Sequence, residues 1–173
     1  MTILYYLIWF INIGLALRKK KSSFIATISI LFLGVVFCSN RGMSGDAYKY
    51  KMDFEHPQYA LVWIDKGYVS LKNLAHMAGI NTYNAFLVAI FAISIVLFYL
   101  GIRRSTNNYH PLIALTMVFI FPLWATAIRY FLATGIVVFA ISELLLKKRK
   151  FVYILLVILA SLFHRSMLFC LIY

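Results

Sequence analysis

The chain predicts an all-α, polytopic membrane bundle: about six transmembrane helices and one long outer loop carrying a short amphipathic helix. Three observations predict it. Of the 173 residues, 64% are hydrophobic and 13% charged, whereas a soluble domain is about 45–50% apolar and about 25% charged. The apolar residues fall into runs near the roughly 20 residues needed to cross a bilayer. Lysines and arginines gather between alternate runs. The surplus apolar surface needs hydrocarbon as solvent, which excludes a secreted domain, a cytosolic enzyme, a coiled coil and a disordered chain.

The first span covers 2–17 and ends at Arg18-Lys19-Lys20-Lys21, and the second covers 22–38. A polar outer loop follows over 39–83, then a third span over 84–102 that ends at Arg103-Arg104. The next apolar run, 111–146, has 36 residues. As one helix it is about 54 Å long, against a hydrocarbon core of about 30 Å. It must fold back, and Pro122–Ala127 is the expected turn because proline removes a backbone donor. This gives spans 111–125 and 128–146, the latter ending at Lys147-Lys148-Arg149-Lys150. The last apolar run, 151–173, is the sixth span. The whole of 1–173 is expected to be one integral membrane domain, incomplete at its C-terminus.

Positive charge in short loops marks the cytoplasmic side. The three basic clusters follow spans one, three and five and hold ten of the seventeen Lys and Arg residues. Odd-numbered span ends share one side, so the clusters agree with one another. The expected orientation puts the N-terminus, the 39–83 loop and the Pro122 turn outside. It also accounts for most of the net charge of +12 without nucleic acid. The N-terminus lacks the basic segment and small-residue cleavage site of a signal peptide.

The outer loop holds four of the five acids, Asp46, Asp53, Glu55 and Asp65. Within it, Tyr48, Tyr50, Met52 and Phe54 alternate with charged residues, a strand period. A short interfacial helix capped by Ser44 or Asp46 fits equally well. Tyr68, Leu71, Leu74, Ala75 and Ala78 follow helical spacing with Lys72, Asn73 and His76 elsewhere, which predicts an amphipathic helix ending at Gly79.

No nucleotide loop, zinc-ligand spacing or serine-hydrolase elbow is present in the sequence, so no cofactor and no metal are expected. Cys38 and Cys170 lie in apolar runs. The remaining polar groups collect at the outer ends of the spans. ATP and sugar nucleotides are absent there, so chemistry on that side needs a substrate that is already activated. Arg129 lies at the outer start of span five, where it is either an interfacial arginine or an anion clamp. His164-Arg165-Ser166 interrupts an apolar run and suits either a helix end whose polar residues meet lipid headgroups or a cavity lining. Asp46 suits a helix cap or a general base, and Asp65 carries the same ambiguity. His56, His76 and His110 are expected in the loop, on the water-facing side of the surface helix and beside a cytoplasmic loop, without a chemical role.

Taken in order, these residues resemble EpsG-like membrane proteins, Wzy-type polymerases of bacterial capsule and exopolysaccharide. Arg41-Gly42-Met43-Ser44-Gly45-Asp46-x-Tyr48-x-Tyr50 is similar to the family's first outer loop. Asp65-Lys66-Gly67-Tyr68 resembles its Glu-Pro-Gly-Tyr-like turn, with Asp for Glu and no proline. Arg129 to Ala133 resembles its Arg-x-x-x-Ala stretch, and Phe163-His164-Arg165-Ser166 its Phe-His-basic-Ser motif. The resemblance implies a polymerase in the bacterial cell membrane that joins oligosaccharide repeat units carried on polyprenyl pyrophosphate. It implies the lipid bilayer and other polysaccharide-assembly proteins as partners, and no nucleic acid. By that resemblance Asp46, Arg129 and His164 are the catalytic candidates, and Arg41, Tyr48, Tyr50, Asp65, Arg165 and Ser166 the substrate-binding ones. Such proteins usually continue for several more spans, hence the expectation of a fragment. A membrane acyltransferase of polysaccharide and a non-enzymatic glycan-lipid transporter or assembly subunit remain open alternatives.

The orientation is testable directly. A reporter inserted between Gly42 and Gly67 is expected to read as extracytoplasmic, and a cytosolic signal contradicts the assignment.

Overall fold

All the regular structure in the computed structural model is helical among the residues it describes, which are 2–20, 22–39, 45–56, 65–105, 108–115, 117 and 128–172. In order they form α1 (Thr2–Leu17), α2 (Ser23–Ser39), α3 (Gly45–Glu55), α4 (Lys66–Met77), α5 (Tyr83–Ser105), α6 (His110–Leu115), α7 (Ile128–Lys147), α8 (Lys150–Phe163) and a 3₁₀ helix (Arg165–Ile172). Among the described residues two segments are long and apolar enough to cross a membrane, Tyr83–Ile102 of α5 and Ile128–Lys147, which is α7. Ile3–Leu17, Ser23–Val36 and Lys150–Phe163 are apolar but shorter. Among the described residues two of the six expected spans therefore reach full crossing length, and most of the expected span 111–125 lies outside them. The expected turn at Pro122–Ala127 lies outside the described residues. Leu31, Val96, Ile154 and Phe169 are among many large apolar side chains left exposed. Apolar cover on that scale suits hydrocarbon rather than water.

The centre of the bundle is α5 against α7, and α7 against α8. The first pair approaches closely because Gly101 has no side chain. A Cβ there would lie 2.9 Å from the Val138 carbonyl oxygen. Small residues at such crossings let two backbones meet where hydrophobic collapse offers no driving force. Phe98 and Phe131 stack across the same interface with ring centroids 6.0 Å apart.

α1 sits against α6. Tyr5 donates its hydroxyl to the Met117 carbonyl, and Trp9 Nε1 donates to the Ala114 carbonyl at 3.2 Å. Deeper in, a buried polar chain ties α1, α2 and α6 together. The Ser22 N–H donates to His110 Nε2 at 3.0 Å, so the ring proton is on Nδ1 and points to Asn12 Oδ1 at 2.8 Å. Asn12 Nδ2 donates to Ser29 Oγ at 2.8 Å and to the Ile8 carbonyl at 2.9 Å. Each polar group in the chain has a partner, as a low-dielectric setting demands. His110, expected to lack importance, is a fully buried node of this network. It also brings the loop before α2 and the loop before α6 to one end of the bundle.

The last apolar run is not the single span expected over 151–173. α8 stops at Phe163, and His164 takes an extended backbone, φ −154° and ψ 112°. The His164 side chain meets Ser166 Oγ at 2.7 Å, and the Met167 N–H returns to the His164 carbonyl at 3.0 Å. These local bonds compete with helix continuation. The 3₁₀ helix then packs back along α8, and Tyr153 near the start of α8 donates to the Cys170 carbonyl. The run is a hairpin with His164-Arg165-Ser166 at its tip.

α3 and α4 form a small layer over the other ends of the helices. The alternation over Tyr48–Glu55 is helical, so the strand reading fails. Tyr50 and Phe54 are buried one helical turn apart, while Lys51 pairs with Glu55 at 3.9 Å on the open side. Asp46 falls inside α3 rather than ahead of it. Phe54 stacks between His76 of α4, at 4.4 Å, and Phe86 of α5, at 4.6 Å. α4 begins at Lys66 and buries Gly67, Tyr68, Lys72 and Ala75. Leu74 and Ala78, expected inside, are exposed. Lys72 and His76, expected in water, turn inward.

The reason is an ion pair. Lys72 Nζ lies 2.8 Å from Asp53 Oδ2, with the side chains 6% and 2% exposed, and also donates to the Asp53 carbonyl at 3.2 Å. A buried pair is costly to break because the surviving charge stays behind. Lys72→Met is expected to destabilise the protein by about 3–5 kcal/mol, read as a lowered melting temperature in detergent. Asp53→Leu added to it is expected to restore much of the loss. A neutral Lys72→Met contradicts the pairing.

Candidate functional site

The polar cluster sits where three elements end together: the start of α4, the start of α7 and the tip after α8. Gly67 makes the meeting possible. It lies in the first turn of α4 against the end of α8, and a Cβ there would fall 2.7 Å from the Leu162 carbonyl oxygen. With Gly67 in contact, the preceding Asp65 reaches both arginines. Arg129 Nη1 donates to Asp65 Oδ2 at 2.6 Å, and Arg165 Nε lies 3.5 Å from Asp65 Oδ1. One carboxylate thus spans two guanidinium groups from different elements.

Arg129 is held on a second side. Its Nε donates to the Tyr50 hydroxyl at 2.7 Å, and its guanidinium carbon lies 5.3 Å from the centre of the Tyr50 ring. Tyr50 packs on Tyr68 at 5.4 Å, and Tyr68 meets Phe86 edge-on at 5.8 Å. An arginine fixed by two bonds and a ring is oriented in advance, which lowers the ordering cost of binding an anion. Its side chain is 14% exposed and that of Asp65 12%, while Arg165 is 91% exposed. The cluster therefore has a half-buried floor and an open rim.

Burial drives the Tyr68 phenol far above its ordinary range, with the neighbouring phenols and Asp53 adding to the rise. It stays protonated, and its hydroxyl is buried without a hydrogen-bond partner among the described residues. His164 lies beyond the end of α8, edge-on to Tyr130 at 5.1 Å. Partial burial first, then the positive field of Arg129, hold the imidazole below the ordinary histidine value, and Asp65 opposes them. The ring is biased toward the neutral form, which can accept a proton or a hydrogen bond.

The structure thus brings together Tyr50, Asp65, Arg129, His164, Arg165 and Ser166 of the residues singled out in the sequence. It separates Tyr48, which is exposed on α3. Arg41 and the Asp46 side chain lie outside the described residues. Among the described residues no group of three or more His, Cys, Asp or Glu side chains could hold a metal ion.

Sequence reasoning missed Gly67, Tyr68 and the Lys72–Asp53 pair as parts of the framework around these groups. The signal for Lys72 was weak, since a lysine in an amphipathic stretch ordinarily faces water. Gly67 was visible only as part of a turn motif. The Tyr130–His164 contact joins residues far apart in the sequence and had no local signature.

The charge environment of His164 can be read experimentally. Arg129→Met removes a cation that lowers its titration midpoint and leaves Asp65 to raise it, so both changes act in one direction. The midpoint of the His164 imidazole, followed by NMR, is expected to move upward. An unchanged or lower midpoint contradicts the arrangement.

No curated protein and no solved structure matches the chain. The sequence model of the EpsG family matches residues 23–173. That match takes in α2 through the 3₁₀ helix and every group of the cluster. The chain therefore belongs to the EpsG family and is a membrane protein related to polysaccharide biosynthesis.

Proposed function

We propose that this protein polymerises polyprenyl-pyrophosphate-linked oligosaccharide repeat units into capsular or extracellular polysaccharide at the outer face of the bacterial cell membrane. The observation that carries the reading is the convergence of Arg129 and Arg165 on one carboxylate. Two guanidinium groups around a single anion provide the donor geometry that a pyrophosphate needs. In this reading the chain crosses the bilayer several times as one domain, with its N-terminus outside. The basic loops at Arg18–Lys21, Arg103-Arg104 and Lys147–Lys150 are cytoplasmic.

The chemistry is glycosyl transfer. The growing glycan is the donor, joined through its reducing-end sugar to polyprenyl pyrophosphate. A hydroxyl of the incoming lipid-linked repeat unit attacks the anomeric carbon. The sugar–phosphate bond breaks, and polyprenyl pyrophosphate departs with the bonding electron pair. Arg129 and Arg165 stabilise the charge on the departing pyrophosphate. Asp46 accepts the proton of the attacking hydroxyl. His164, biased toward the neutral form, orients that hydroxyl or takes up its proton. Arg41, Tyr50 and Ser166 contribute hydrogen bonds to sugar or phosphate. No cofactor and no metal is required because the donor is already activated. The lipid tails lie between helices in the bilayer, beside other polysaccharide-assembly proteins.

The test is a glycan ladder from cells carrying Arg129→Ala or Asp46→Asn. Each is expected to lower polymer formation by about 10²–10³-fold, the scale of losing one preorganised charge stabiliser for Arg129 and one general base for Asp46. Single repeat units are expected to remain. Loss of repeat units together with long chains outside the cell points to a transporter. Normal chain length with a missing substituent points to an acyltransferase. Unchanged long chains in both variants remove the assignment of these residues.

A further inference from the structure

The position of Asp65 is unusual for what its backbone does. It is the N-cap residue of α4, with φ −61° and ψ 139°, yet its side chain makes no capping hydrogen bond. An N-cap aspartate ordinarily accepts from an N–H two or three residues ahead. Here the carboxylate turns away and takes Arg129 and Arg165 instead. It thereby occupies the space between the two guanidinium groups that an anionic ligand would need.

We infer that Asp65 is a built-in competitor for the arginine site, so that the site opens to a pyrophosphate diester and excludes a phosphate monoanion; this rests on the function proposed above. The argument is one of charge. Two guanidinium groups facing one carboxylate retain a net positive charge. A ligand with a single negative charge brings no electrostatic advantage over the resident carboxylate. It also competes against a group tethered to the site, whose effective concentration is high. A pyrophosphate diester brings one more negative charge and more acceptor oxygens, enough to engage both arginines bidentately. Asp65 then swings back to the first turn of α4, where the Gly67 N–H stands at a position an N-cap carboxylate prefers and the Tyr68 N–H already bonds the Asp65 carbonyl at 3.0 Å. The displaced side chain keeps a satisfied resting place, so exchange does not strand a buried charge. Tyr50 keeps its hold on Arg129 Nε throughout, so the arginine stays oriented while its partner changes.

The opposite role for Asp65, as a support for the arginines, makes the opposite prediction. The experiment uses the full chain in lipid nanodiscs with two soluble probes, P1,P2-dimethyl pyrophosphate as the dianion and dimethyl phosphate as the monoanion. Dissociation constants are measured for the wild type, Asp65→Asn, Asp65→Ser and Arg129→Ala. Asn and Ser both remain good N-cap residues, so the two replacements check each other. The wild type is expected to bind the dianion and not the monoanion. Both Asp65 variants are expected to bind the dianion about tenfold tighter and to gain measurable binding of the monoanion. If Arg129→Ala abolishes dianion binding while the Asp65 variants bind no tighter, or bind more weakly, Asp65 is a support. The competitor role then falls and the phosphate site stands. If neither the wild type nor the Asp65 variants bind the dianion, both the competitor role and the pyrophosphate reading fall.

Discussion

A guanidinium beside hydrocarbon must find a partner, and the contact between Arg129 and Asp65 answers that demand. Arg129 opens α7, a helix of full crossing length. Asp65 is the N-cap of α4 in the layer that α3 and α4 form. Their bond, 2.6 Å long and largely shielded from water, joins the polar cap to the apolar bundle. Other features fall into place around it. Gly67 lets α4 come down onto Leu162, the aromatic bed of Tyr50, Tyr68 and Phe86 supports the arginine, and the hairpin tip delivers Arg165 to the second carboxylate oxygen.

The cap itself is organised by a different economy of charge. Lys72 and Asp53 are nearly inaccessible to water, a setting in which each stabilises the other and neither is tolerable alone. They lock α3 to α4. Phe54, between His76 and Phe86, then seats the pair on α5. The cap is thus held by a buried ion pair and stacked rings, while the cluster at its edge leaves Arg165 exposed. Rigid support beneath an accessible rim is what a site for a charged substrate requires.

Much of the architecture was legible in the sequence because bilayer length and charge placement are strong constraints. The starts of α1 and α7 and the first two helix ends agree with the apolar runs within a residue or so. Polar residues in apolar surroundings, Arg129 and His164-Arg165-Ser166, correctly marked positions that meet in space. The failures are as physical. Alternation over Tyr48–Glu55 fits a period of two, but Tyr50 and Phe54 also stand one helical turn apart, and packing on Phe86 decides between the two. Lys72 looked like a water-facing lysine because its partner, Asp53, lies nineteen residues away. His110 looked idle because Asn12 and Ser22, its partners, belong to other elements. The reversal at His164 leaves no proline or glycine behind, only the local bonding of His164 with Ser166.

The central claim is that the Arg129–Asp65 contact couples the cap to the bundle. A double-mutant cycle measures that coupling most directly, using Arg129→Met, Asp65→Asn and the combined variant, with thermal unfolding in detergent as the readout. A half-buried charged contact predicts a coupling of about 1–3 kcal/mol, with the double variant losing less than the sum of the single losses. Strictly additive losses, with coupling near zero, contradict the account.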